Sequence, residues 1–221
     1  ELTKRMVGLV VSRRRHDFDS PHYTGPAILQ CTDHDAELAT HAGHPHRELL
    51  DELELYEPDP DGEPETIREL AVAGSEYRAE IDAGLEELAG EVEREIHSHL
   101  GVTDAQADRI DAEIALRTNE DPRERRRPDG ESVESGDVDV AGMVEDLLLH
   151  CAVRAVSTDD DGVVPVSEVR GEDDLLTRVQ AEFERIWGEQ AGARMAEVDG
   201  ILGDRPATGE AYPNLRAWLA T

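Results

Sequence analysis

Lysine, aromatics, cysteine and long apolar runs are all scarce in this chain of 221 residues. Lys4 is the only lysine among 22 basic side chains, which face 52 acidic ones, for a formal net charge of −30. A fold this negative repels phosphate, which excludes a nucleic-acid binder that works through a diffuse basic patch. No stretch approaches the roughly 20 apolar residues of a membrane span. Residues 1–11 are too short and too weakly apolar for a secretory signal. The two cysteines, Cys31 and Cys151, lie far apart, which fits a reducing cytoplasm better than a disulfide scaffold.

High negative charge with 4% aromatics is also a signature of disorder. Here 38% of the residues are apolar and fall in helical registers, so the expectation is a folded protein with an acidic surface. Acid-rich, lysine-poor composition suits a halophilic cytoplasm, where salt screens charge to within ~3 Å at 1 M. The length allows one ordinary domain or two small ones. The chain begins at Glu1 and its last helix stops abruptly at Trp218-Leu219-Ala220-Thr221, so a fragment of a larger protein is expected.

Along the chain, Met6, Val7, Leu9, Val10 and Val11 form an apolar run that reads as a short buried helix or strand, closed by Arg13-Arg14-Arg15. Residues 16–30, with two prolines and a glycine, read as a loop pinned by Phe18 and Tyr23. Residues 47–56 form a brief helical stripe ended by a Pro/Asp/Gly/Glu run. From Glu65, apolar positions Ile67, Leu70, Tyr77, Ile81, Leu85, Leu88, Val92, Ile96 and Leu100 keep one seam on a helix roughly 50 Å long, with Ala71 and Gly74 filling its widest gap. Such a seam needs a partner helix. Gly101 stops it, and Thr103 caps a second helix carrying Ile110, Ile114 and Leu116 to about Arg117. A charged, breaker-rich linker follows. After it, residues 143–156 are apolar nearly all round and predict a core helix. The run 159–166 reads as a turn into a short extended segment. Helices are expected from Asp173 or Asp174, over Ala191–Leu202, and from Pro213.

Three constellations bear on chemistry. Cys31, His34, His41, His44 and His46 have residue types that bind zinc, but Gly43 and Pro45 interrupt any helix that would gather them; a polar surface loop explains them as well. Ser157 to Glu168 imitates a calcium-binding loop, with Asp159, Asp161, Gly162 and Glu168 in register, but Ser157 stands where the first aspartate belongs and Pro165 sits at the ninth position. An acidic turn is the simpler reading. No zincin, phosphate-loop, dinucleotide-binding or serine-hydrolase signature is present. Two arginine clusters remain: Arg13, Arg14 and Arg15, and Arg123, Arg125, Arg126 and Arg127. Guanidinium forks match phosphate oxygens, which makes these the candidate DNA contacts; the competing reading is that they neutralise neighbouring acids.

Asp17, Phe18, Asp19, Ser20 and Thr24 resemble the D-W-D-S-x-E-T-S-W-D-F segment found downstream of the catalytic domain in PglX-like adenine methyltransferases of BREX phage defence. Residues 85–114 look like the long helix, glycine turn and acidic helix of these proteins and of related Eco57I-type restriction-modification methylases. Residues 144–166, 173–188 and 214–220 resemble their C-terminal helices in order. His22 stands where the family has glutamate, and its later aromatics are missing. The resemblance implies the non-catalytic C-terminal part of an enzyme that methylates adenine N6 with S-adenosylmethionine. It would meet DNA, the upstream methyltransferase domain and other defence-system proteins; no catalytic or cofactor-binding residue is carried over. The alternative is a stand-alone acidic helical module that dimerises through the seam.

The expected architecture is mainly α. It comprises a linker-like segment at 1–64, a long helical pair or coiled-coil-like stalk at 65–117, a charged linker at 118–138 and a C-terminal helical unit at 139–221.

Overall fold

The computed structural model describes residues 2–20, 23–29, 64–118, 138–167, 169–205 and 211–221. The fold is mainly helical. Its elements are α1 (Leu2–Arg14), a 3-10 turn (Ala27–Leu29), α2 (Ile67–Leu100), α3 (Asp104–Thr118), α4 (Val140–Ser157), α5 (Leu175–Trp187), a 3-10 turn (Gly188–Gln190), α6 (Ala191–Leu202) and α7 (Pro213–Leu219). Among the described residues the sole β feature is an isolated bridge between Val169 and Glu172, so the extended segment expected after residue 162 forms no strand. The chain divides into two compact units. The stripe at 47–56 and the linker at 119–137 lie outside the described residues.

One unit holds residues 24–29, 64–75 and the chain from Val138 onward. Its core gathers Leu147, Leu148 and Cys151 of α4, Val179 and Phe183 of α5, Met195 and Val198 of α6, and Leu215 of α7, all fully buried. The seam positions Ile67, Leu70 and Ala71 close one side of it, and Ala27, Ile28 and Leu29 join them. The unit is therefore wider than the boundary at 139. Residues 24–29, read from the sequence as part of a loop, are an irregular segment and a 3-10 turn that join the core, because an Ala-Ile-Leu triplet buries more apolar area than its flanking breakers suggest. The seven-residue gap in the seam has a cause here: a Cβ on Gly74 would stand 2.7 Å from the carbonyl oxygen of Ala27 and 2.9 Å from Met143 Cε. Only glycine lets the two backbones come this close. Helix α4, apolar nearly all round in sequence, buries one face; Leu149, Val153 and Val156 stay partly exposed on the other.

The other unit holds α1, residues 76–100 of α2, and α3. Tyr77, Ile81 and Leu85 bury against Leu9 of α1. The pairing is antiparallel. Passing from Arg5 through Leu9 and Arg13 to His16, the contacts on α2 run backward from Glu91 through Gly84 and Asp82 to Tyr77. The partner that the seam meets over 77–91 is thus α1, where the sequence pointed to the following helix. Beyond Leu88 the seam opens: Val92 is half-buried, Ile96 is 51% exposed and Leu100 is 73% exposed. On α3, Leu116 is 86% exposed, so α2 and α3 do not close a coiled-coil seam over these positions.

Helix ends follow local sequence. Thr66 and Glu69 form a reciprocal capping box at the start of α2, with Thr66 Oγ1 accepting from the Glu69 amide and Glu69 accepting from the Thr66 amide. Gly101 takes φ +68 to end α2, and the Val102 amide donates back to the His97 carbonyl at 2.8 Å, the Schellman arrangement. The Gln106 side chain reaches back to the Thr103 amide to open α3. No helix among the described residues is long and apolar enough to cross a membrane.

Candidate nucleic-acid interface

The first arginine cluster lies at the C-terminal end of α1, where cations suit the helix dipole. Arg13 uses its fork within the molecule. Its Nε donates to Asp82 Oδ1 at 3.0 Å and its Nη1 to Asp17 Oδ1 at 3.1 Å, with 16% of the side chain exposed. Arg14 donates to the other oxygen of Asp17 at 3.3 Å and keeps 45% of its side chain exposed. Arg15 is buried, only 4% exposed, beside the equally buried His16. His16 stacks edge-on against Tyr77, with centroids 5.4 Å apart, and its carbonyl accepts from Arg78. A phosphate reaching Arg13 would have to displace a carboxylate, and one reaching Arg15 would have to open the packing. Within this cluster, only Arg14 offers a guanidinium at the surface. Arg123, Arg125, Arg126 and Arg127 lie outside the described residues, as do Cys31, His34, His41, His44 and His46.

The acidic turn after α4 is organised by its own backbone. The Asp161 amide donates to Asp159 and the Val163 amide to Asp161, while Asp159 pairs with Arg178 of α5. One carboxylate that a calcium loop would spend on metal is thus spent on a guanidinium. Among the described residues, no three His, Cys, Asp or Glu side chains converge as a metal site. Cys151 sits in the core, where burial pushes its thiol up to about 12, leaving it protonated and unreactive at neutral pH.

Carboxylates carry much of the polar structure of the C-terminal unit. Asp139 and Asp174 cap their own helices by accepting from the amides of Gly142 and Thr177. The Thr177 hydroxyl, the Thr177 amide and Arg216 hold the Asp174 carboxyl below its usual range, against the opposing effect of burial. Two further caps come from α6. Glu197 accepts from the Ile67 amide at 2.6 Å and from Arg194 at 2.9 Å, so it caps α2 across 130 residues. Asp199 accepts from the Asn214 and Leu215 amides at 2.8 and 2.9 Å, at the start of α7. Asn214 in turn donates to the Gly203 carbonyl and accepts from the Arg205 amide. On the α4–α5 face, burial would raise the Glu182 carboxyl, but Arg185 and Arg154 together outweigh it and hold that carboxyl low. Sequence inspection puts a helix start at Asp173 or Asp174, of which the structure makes Asp174 the cap, and misses the cap at Asp139. It has no local signal for Glu197 or Asp199, whose partners only the fold supplies.

These geometries describe two arginine-and-carboxylate frameworks; within the 13–15 cluster the exposed guanidinium is that of Arg14. Neither a family model, nor a curated protein, nor a solved structure matches the chain.

Proposed function

We propose that this chain is a non-catalytic helical accessory region of an adenine-N6 DNA methyltransferase, of BREX-like or restriction-modification type, that acts chiefly in assembly. S-adenosylmethionine and the methyl-transfer chemistry would belong to the upstream domain. The family-like order of the three sequence segments motivates the enzyme class. The observation that favours assembly is the opening of the α2 seam onto Ile96 and Leu100, which leaves an apolar surface beyond the helix that pairs with it. DNA contact through Arg13 and Arg15 is disfavoured by their internal engagement; Arg14 and the arginines at 123–127 carry that part of the proposal. Such a role places the protein in the cytoplasm.

The coding sequence immediately upstream of Glu1 provides the test. An S-adenosylmethionine loop and an NPPY-like tetrapeptide there support the assignment; a start codon and promoter overturn it. For the DNA contacts, alanine at Arg14 and at 123–127 in the reassembled enzyme should weaken DNA binding in molar salt, and unchanged binding removes them. A second reading, a stand-alone dimerisation module, rests on the same exposed residues. Sedimentation giving a tight homodimer indifferent to DNA would favour it.

A further inference from the structure

Helix α7 begins against its local preferences. The residue ahead of it, Tyr212, sits at φ 54 and ψ 59, and among the described residues it is the sole non-glycine with positive φ. A bulky side chain in this left-handed region is strained. Pro213 follows directly, and a proline pushes the residue before it toward extended backbone instead. Tyr212 also makes no side-chain cap to the helix it opens. With only seven residues, α7 is too short to hold itself together in water.

The strained start is held by contacts to residues outside α7. Asp199 of α6 accepts from the Asn214 and Leu215 amides and, at 3.2 Å, from Asn214 Nδ2. The Tyr212 hydroxyl donates to the Gly192 carbonyl of α6 at 3.4 Å. Arg216 meets Asp174, the cap of α5, at 3.6 Å. Leu215 is fully buried, and Tyr212, Trp218 and Leu219 pack on the same core. Lifting α7 off α5 and α6 breaks all of these contacts and leaves nothing to keep the segment helical. The same movement frees Tyr212 from the left-handed region.

We propose that α7 is a strained strap, a conformational device that opens as one unit about Tyr212 while α4, α5 and α6 stay folded, uncovering the apolar surface that Leu215 fills. The strap operates whether the chain is an accessory region or a stand-alone module.

Native-state amide exchange on the full chain at fixed KCl tests it, in the parent and in three variants that all lack the ring: Tyr212→Gly, Tyr212→Ala and Tyr212→Ser. In the parent, the amides of Asn214, Leu215 and Arg216 should share one opening constant and exchange at least about tenfold faster than those of residues 179–183. Glycine tolerates the left-handed region, so it should keep α7 closed about fivefold or more better than alanine. Serine is the better cap at an ordinary helix start but gains nothing in the left-handed region, so it should match alanine. Protection of residues 179–183 should be the same in all three variants. Serine as protective as glycine would make position 212 an ordinary cap, and glycine no better than alanine would leave it without strain; either result overturns the strained hinge. Parent α7 amides that exchange together with those of α5 overturn the strap itself, whatever the variants do.

Discussion

The two units solve the same problem, an acid-rich chain that must still fold, with different materials. In the C-terminal unit a core shared by four helices and the first turns of α2 fixes the geometry, and carboxylates then serve as caps: Asp139, Asp174, Glu197 and Asp199 each take an amide at the N-terminal end of a helix. Acids there meet the positive end of the helix dipole, so part of the excess negative charge is used constructively. In the α1–α2 unit the buried apolar cluster among the described residues is smaller, Tyr77, Ile81 and Leu85 with Leu9, and Val11 and Leu88 are buried besides. Arginines there span the interface, and Arg13 takes carboxylates from both sides of it. A large core permits carboxylates to be placed by the fold, whereas a thin one leans on ion pairs that salt weakens.

The sharpest way to break this comparison is to remove apolar volume from each unit. Phe183→Ala, at a fully buried position against Trp187, should cost about 3–5 kcal/mol, read as a fall in the denaturant midpoint at fixed KCl. Ile81→Ala should cost about 2–5 kcal/mol, toward the lower end, because a thin interface can relax into the gap. Its distinguishing readout is local: amide exchange should accelerate over 2–20 and 76–92 more than over 140–202. Uniform acceleration across both regions would show that the two units unfold as one and that their difference in construction has no thermodynamic counterpart.

Much of the helical layout was legible because periodicity and punctuation agree. The α2 seam, the stop at Gly101, the helix start at Pro213 and the span Ala191–Leu202 all follow from local rules. The partner of the seam was not legible. Residues 6–11 alone cannot separate helix from strand, and nothing local says that a helix at the chain's start rather than the next helix in sequence will meet residues 77–91. Burial of Ala27–Leu29 was hidden for the same reason, since Pro21, Gly25 and Pro26 dominate the local signal. At the candidate interface, sequence identified the arginine cluster but not its allegiance: Asp82, which claims Arg13, lies 69 residues away.

Caps offer a finer probe of the C-terminal unit. Asp199→Ala leaves the amides of Asn214 and Leu215 without their acceptor, and should cost about 1–2 kcal/mol with early loss of α7. Acid should act in the same direction through several carboxylates at once. Asp174 and Glu182 have folded values held below their unfolded ones. Their contribution is complete above the ordinary carboxylate value near ~4 and is lost as pH falls through the lowered one. Stability measured from pH 6 downward should therefore decline as protons bind on unfolding, and Asp174→Asn should flatten part of that decline. A curve identical to the parent's would show that Asp174 gains nothing from Thr177 and Arg216.

The smallest expected effect is the most informative about the surface of the α1–α2 unit. Arg14 meets Asp17 at 3.3 Å and is nearly half exposed, so Arg14→Ala should change stability by no more than about 1 kcal/mol. Arg13→Ala removes contacts to both Asp17 and Asp82 and should cost more, with the difference shrinking as KCl rises from ~0.1 M to molar concentrations, where the screening length falls to ~3 Å. That contrast separates a structural arginine from an available one. If Arg13→Ala proves as mild as Arg14→Ala at every salt concentration, the Arg13 fork does not tie α1 to α2. Apolar contact at Leu9 must then hold the pair alone, and Arg13 returns to the set of arginines that phosphate can reach.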